Sequence, residues 1–250
     1  MNQYFSSRTL NFFVSIIGAF LFWQIMTYLS SVTDNHPILR VWGGSGVGFL
    51  KVIAYAAFIF GMLDLYEKKK SLRREYAGFQ LGLLPTQEQM VLTPDDVANI
   101  KMAVITREKN GEPKYLVSSF IKKAATQFRN DNSVSDTMKV MEMQVDSTKS
   151  DEEGRLEEVR YIIQTIPMLG FIGTIIELTS SLQKLDKGLD IVRAAMEGAF
   201  DATLVALTLT IFLTLYYHTY IGQVDVFYAG IKSYITDNLI SRIYNPNAKR

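Results

Sequence analysis

Two stretches of the chain carry no charged residue, residues 9–33 and, with His218 neutral, residues 202–224. A hydrocarbon layer about 30 Å thick is crossed by roughly 20 residues at about 1.5 Å per helical residue, so each stretch is long enough to span it. A helix that is apolar on every side has no face to show water, and must be enclosed by protein or lie in lipid. The pattern therefore predicts a first span from about Leu10 to Val32 and a fourth from Ala202 to Val224. A third covers Tyr161 to Leu182 and is interrupted only by Glu177. The second is weaker, because only Val52–Leu63 is uninterrupted between Lys51 and Asp64. That run becomes long enough if residues 46–50 join it and Lys51 snorkels to the headgroups.

The expected fold is an all-α membrane protein with four transmembrane helices and long helices extending into the cytoplasm. Its parts are an N-terminal transmembrane hairpin (1–65), a cytoplasmic helical region (66–160), a pair of membrane helices (161–224) and a C-terminal helix or tail (225–250). The polar section after the second span opens with Lys68, Lys69, Lys70, Arg73 and Arg74. Such an excess marks the cytoplasmic flank of a membrane helix. The topology that follows has both termini inside and both hairpin loops outside. Within the polar section, Thr93-Pro94-Asp95-Asp96 reads as a capped helix start and Asn110-Gly111-Glu112-Pro113 as a turn. From Ser135 no strong breaker intervenes before Pro167, since Gly154 costs a helix only about 1 kcal/mol. One long helix is expected to rise into the third span.

Composition narrows the chemistry. The 250 residues have a net charge of +1 and no cysteine, which removes disulfides, thiol catalysis and cysteine-ligated metal sites. No basic arm points to nucleic acid. The first apolar stretch is too long for a cleaved signal and lacks a small-x-small site. The polar section holds no nucleophile elbow, His pair or paired-carboxylate site, so no enzyme and no cofactor are expected. The glycine run at 43–48 before Lys51 lacks the ending of a phosphate loop and is read as close packing.

The polar residues within the spans are the candidates for function. At about 100° per residue, Thr203, Thr210 and Thr214 fall within roughly 20° of one line, flanked by Ala199, Ala206 and Tyr217. Asp201, Thr208 and Thr219 form a second polar line on the opposite side. On the third span Pro167, Gly170, Thr174 and Ser181 align, with Glu177 about 60° away. Two readings stand side by side. Hydroxyls can bond their own preceding turn and small residues can serve helix packing. A stripe of hydroxyls can equally solvate water and a passing cation. Glu177, roughly 9 Å from its helix end, is costly in lipid unless it pairs or faces water, with Lys184 as the simple partner. Asp201 reads as a helix-start charge, and His218 as interfacial.

Two segments carry a resemblance. Ile166-Pro167-Met168-Leu169-Gly170-Phe171-Ile172-Gly173-Thr174-Ile175 resembles the A/I-P-x-x-G-x-x-G-T-V/I signature of the MotA/TolQ/ExbB proton-channel family. Gly198-Ala199-Phe200-Asp201-Ala202-Thr203-Leu204-Val205-Ala206-Leu207 is similar to the family's second signature, at the start of the last helix. The resemblance implies a homopentamer around two single-span MotB/TolR/ExbD-like subunits whose membrane Asp carries the ion. It also implies that Thr174 and Thr203 line the pore and that Pro167, Gly170 and Gly173 serve packing. The family often has Gly where this chain has Glu177.

The expected function is the pore-forming subunit of a motor, or stator, in the bacterial inner membrane, driven by protons or sodium. The ion pathway would comprise Thr174, Thr203, Glu177, Thr210, Thr214, Ser181 and Asp201, with Glu177 concentrating cations at the outer mouth. Rival readings are a self-sufficient ion channel or transporter, and a membrane scaffold recruiting cytoplasmic proteins.

Overall fold

A computed structural model describes residues 2–33, 36–43, 48–85, 91–183 and 188–244. Among these residues the structure is helical throughout, apart from loops and one isolated bridge between Leu92 and Ile243. The helices are α1 (Asn2–Val32), α2 (Pro37–Gly43), α3 (Gly48–Tyr76), α4 (Pro94–Lys109), α5 (Leu116–Asp131), α6 (Val134–Gly154), α7 (Glu157–Leu182) and α8 (Leu189–Asn238). Four helical segments are long and apolar enough to cross a membrane: Arg8–Val32, Gly48–Leu81, Val134–Leu182 and Met196–Arg242. The chain is an all-α, multi-pass membrane protein. By internal contacts it divides into two compact units, residues 1–67 with 156–219 and residues 68–155 with 220–250.

The first unit contains the apolar helices. Phe13, Ile17, Phe20 and Leu21 of α1 are exposed, as are Phe171, Ile172 and Ile175 of α7 and Leu204, Ile211 and Leu215 of α8. A water-soluble unit would not show so much apolar surface, and here it suits contact with lipid or other spans. The short α2 folds back on α1 through Gly43. A Cβ at this glycine would meet the backbone of Met26 and Thr27 at 2.6 Å, so only glycine allows the approach. The Thr27 hydroxyl then donates to the Gly43 carbonyl at 2.9 Å. Residues 44–47 of the glycine run lie outside the described residues. The ring of Tyr55 stacks on Trp42 and meets Phe22 edge-on, and its hydroxyl donates to the Trp42 carbonyl at 2.6 Å.

The second unit is a helical core built on amphipathic faces. Thr93 and Asp96 form a capping box at the start of α4, with Pro94 at its first position. On α5, Val117, Phe120, Ile121, Ala124 and Phe128 are buried at helical spacing, and Asn132 ends it in the left-handed conformation at φ 48°. Ser133 caps α6. The 220–238 part of α8 contributes Phe227, Ile231 and Ile235, all fully buried, with Phe227 held between Tyr76 and Phe79. Lys149–Asp225 at 2.7 Å and Lys232–Glu142 at 2.9 Å join α6 to this part of α8. Of the basic cluster after the second span, Lys70, Arg73 and Arg74 are exposed, whereas Lys68 is buried.

Several expectations about the spans can now be settled. Lys51 does not snorkel: it is 3% exposed and donates to the Val41 carbonyl at 3.0 Å. The second span does gain its length as expected, by taking in residues before Lys51, since α3 runs unbroken from Gly48 to Tyr76. The helix from 135 rises into the third span as one helical segment, Val134–Leu182, with an interruption that was not expected: α6 ends at Gly154 and α7 begins at Glu157. Arg155 and Leu156 between them keep right-handed backbone angles, at φ −71°, ψ −11° and φ −92°, ψ −7°, and form a turn directly after Gly154. The loop between the last two spans is also shorter than expected, since α8 starts at Leu189 and takes up Asp190, Arg193 and Glu197.

Candidate ion pathway and its charged neighbours

The α7–α8 pair is shaped first by small residues. Gly170, Gly173, Glu177 and Ser181 lie on one buried face of α7 at spacings of three or four. Glu177 thus stands on the inward line itself, closer to it than the helical wheel indicated. Opposite, Ala199, Ala202 and Ala206 of α8 are buried. A Cβ at Gly170 would come within 2.6 Å of the Ala206 Cβ and 3.1 Å of the Thr203 Cα. Small-on-small contact of this kind is how membrane helices approach closely. Pro167 lies inside α7 and removes one N–H from its ladder.

At this crossing the hydroxyls of Thr174 and Thr203 bond each other. Thr203 Oγ1 is also 3.1 Å from the Gly170 carbonyl, while Thr174 Oγ1 is 3.2 Å from that oxygen and 3.1 Å from the Ala199 carbonyl. Two hydroxyl protons are therefore shared among two carbonyls and each other; each oxygen keeps accepting capacity, and donation to a third group requires one of these bonds to be exchanged. Both threonines are half-buried. The remaining hydroxyls behave differently. Thr210 donates to the Ala206 carbonyl and Ser181 to the Glu177 carbonyl, each within its own helix. Thr208 and Thr219 likewise bond the turn before them. Thr214 is half-buried beside the fully buried Leu213. Of the aligned hydroxyls, those of Thr174 and Thr203 bond from one helix to the other.

Asp201 is not at a helix start, because α8 began twelve residues earlier at Leu189. It is buried at 9% exposure, with its carboxylate 3.7 Å from Arg40 Nε. Arg40 also bonds Glu197 at 2.6 Å. Glu177 is 6% exposed, and its carboxylate rests against Gly198, where a Cβ would meet Oε2 at 2.7 Å. Lys184, the simple partner considered for Glu177, lies outside the described residues. Lys51 is buried next to Leu50, which packs on Ala202, the neighbour of Asp201. Sequence reasoning missed Arg40 and Lys51 as members of this group. The available signal was that each is a cation at the end of an apolar run, within reach of carboxylates on the last two spans.

A second ionic group lies at the other end of α1. Arg8 pairs with Glu158 and stands 3.6 Å from the buried Asp64, while Asn11 donates to Glu67 at 2.8 Å. Arg160 reaches the hydroxyl of the buried Tyr217 at 3.3 Å. His218 is exposed and packs edge-on against Tyr217.

Residues 113–232, a little under half of the chain, match the model of the MotA/TolQ/ExbB proton channel family. The matched stretch runs through α5, α6 and α7 and into α8, and so contains the Thr174–Thr203 crossing. No curated protein and no solved structure matches the chain.

Proposed function

Because residues 113–232 form a MotA/TolQ/ExbB proton channel family segment, we propose that this chain is the pore-forming subunit of a proton-driven motor. It works as a ring, a homopentamer, around a dimer of a single-span MotB/TolR/ExbD-like protein in the bacterial inner membrane. The chain performs no covalent chemistry of its own. Both termini are cytoplasmic in this reading, supported by Lys68–Lys70, Arg73 and Arg74 directly after the second span.

The observation that carries the reading is the paired hydroxyls of Thr174 and Thr203, half-buried at the α7–α8 crossing inside the matched segment. A partner carboxylate moving through lipid depth must alternate between ionised and protonated forms, and low dielectric favours the neutral one. A hydroxyl donates to the ionised carboxylate and accepts from the protonated one, so it solvates both. Valine, of the same shape, does neither. Proton uptake and release at the partner carboxylate then become steps that the ring converts into rotation or rearrangement.

The test is Thr203→Val co-expressed with a single-span MotB/TolR/ExbD-like partner, with proton flux measured in proteoliposomes. Flux should fall at least tenfold while the ring still assembles, and Thr203→Ser should retain it. Undiminished flux in Thr203→Val would overturn the pathway, and flux without any partner would favour a self-sufficient channel. Replacing the proton gradient by a sodium gradient decides the ion.

A further inference from the structure

Among the described residues, two arginines outside the matched segment reach into it, one toward each helix of the α7–α8 pair. Arg40 lies on α2, and its guanidinium is shared between two carboxylates of α8, Glu197 at 2.6 Å and Asp201 at 3.7 Å. Arg193 also approaches Glu197, at 3.3 Å, but from the same helix, so that bond joins α8 only to itself. Arg8 lies on α1, pairs with Glu158 at the start of α7 and stands 3.6 Å from the buried Asp64 of α3. A tie restrains its target only if its anchor is fixed, and α2 is fixed at its C-terminal end. The last carbonyls of a helix have no partner within it. On α2 they accept from side chains of the neighbouring helices: Val41 from the Lys51 ammonium at 3.0 Å, Trp42 from the Tyr55 hydroxyl at 2.6 Å and Gly43 from the Thr27 hydroxyl at 2.9 Å. Gly43 also lies so close to Met26 and Thr27 that a Cβ would not fit. Arg40 is therefore carried by an element bound to both α1 and α3.

A planar guanidinium presents its donors as a fork and can serve two carboxylates at once. Asp201 is buried, and a charge so enclosed needs a counter-charge to remain ionised. We infer that the N-terminal hairpin is an ionic brace for the α7–α8 pair: Arg40 holds α8 through Glu197 and Asp201, and Arg8 holds α7 through Glu158. Arg40 is in this sense a positioning residue. It acts through Asp201, which is two residues from Thr203 on one continuous helix, about 3 Å along its axis. Fixing Asp201 thus fixes the height at which Thr203 meets Thr174. The brace does this whether or not the crossing conducts protons, so the inference goes beyond the motor reading.

The test reads distances within the chain and needs neither partner nor ion flux. The chain has no cysteine, so spin labels can be placed at chosen sites without removing native thiols. Labels at Ile25→Cys and Phe200→Cys, exposed positions on α1 and α8, report the α1–α8 distance, and Ile25→Cys with Phe171→Cys reports α1–α7. Full-length labelled chains are purified in detergent with an excess of unlabelled protein, so that double electron–electron resonance reads only distances within one chain. Arg40→Gln should broaden the α1–α8 distribution by several ångströms and leave α1–α7 unchanged. The exchange Arg40→Glu/Glu197→Arg should restore the wild-type width. An unchanged α1–α8 distribution in Arg40→Gln, equal broadening of both distances, or no restoration in the exchanged pair would overturn the inference. Should Arg40→Gln fail to fold, Glu197→Gln removes the 2.6 Å bond at a half-exposed residue and should broaden the α1–α8 distance alone. A wild-type distribution in that variant would overturn the inference as well.

Discussion

Gly170→Ala tests the α7–α8 crossing with a single added methyl group. Carbon atoms pack best at about 3.5–4.0 Å, and the new Cβ would lie 2.6 Å from the Ala206 Cβ. The overlap is about 1 Å on that scale. Neither atom can rotate away, because both are fixed to helical backbone, so the helices must part or slide. Overpacking of this kind costs roughly 1–3 kcal/mol. Parting the helices also lengthens the 3.1 Å contact from Thr203 to the Gly170 carbonyl, and an interhelical hydrogen bond in a membrane protein contributes about 0.6 kcal/mol on average. Against this, alanine is favoured over glycine in a helix by about 1 kcal/mol. The net expectation is a loss of about 0.6–2.6 kcal/mol, using those three terms. At about 2–4 °C per kcal/mol for a chain of this size, the unfolding midpoint in detergent should drop by several degrees. Tryptophan fluorescence can follow the melt. Gly170→Ala/Ala206→Gly removes the overlapping atom and should recover most of the packing loss. A Gly170→Ala protein as stable as wild type, or no recovery in the double variant, would refute the close-approach argument.

Other outcomes follow from the second unit. Phe227 is fully buried against Tyr76 and Phe79, so Phe227→Ala should destabilise that unit by about 3–5 kcal/mol, measurable by hydrogen exchange across α6 and the end of α8. The Asp96 carboxylate accepts from the Thr93 hydroxyl and backbone N–H, at 2.7 and 2.9 Å, and these bonds hold its pKa below the ordinary 3.8. A carboxylate lowered on folding contributes stability above its unfolded pKa and loses it as pH falls through the folded value. Asp96→Asn should therefore increase exchange at the start of α4 at pH 7, and the difference from wild type should vanish once pH drops below the folded value.

The apolar runs, two of them uncharged and two interrupted by Lys51 and Glu177, were enough to predict a helical chain with four helices able to cross a membrane. That property is local: a run of apolar residues cannot be solvated by water wherever its neighbours lie, and lipid demands internally bonded backbone. The α4 start was equally legible, since Thr93, Pro94 and Asp96 act on each other within one turn. The charged residues were not. Lys51 reads as a headgroup-seeking cation from its place beside an apolar run, and only the approach of α7 and α8 makes it an interior one. Asp201 looks like a helix start until α8 is seen to begin at Leu189, and Arg40 gains its meaning from Glu197 and Asp201, more than 150 residues away. Whether a threonine turns its hydroxyl to its own preceding carbonyl, as Thr210 does, or to another helix, as Thr203 does, depends on how near that helix comes. Electrostatic and interhelical contacts are set by distance in space, and tertiary packing alone decided those distances.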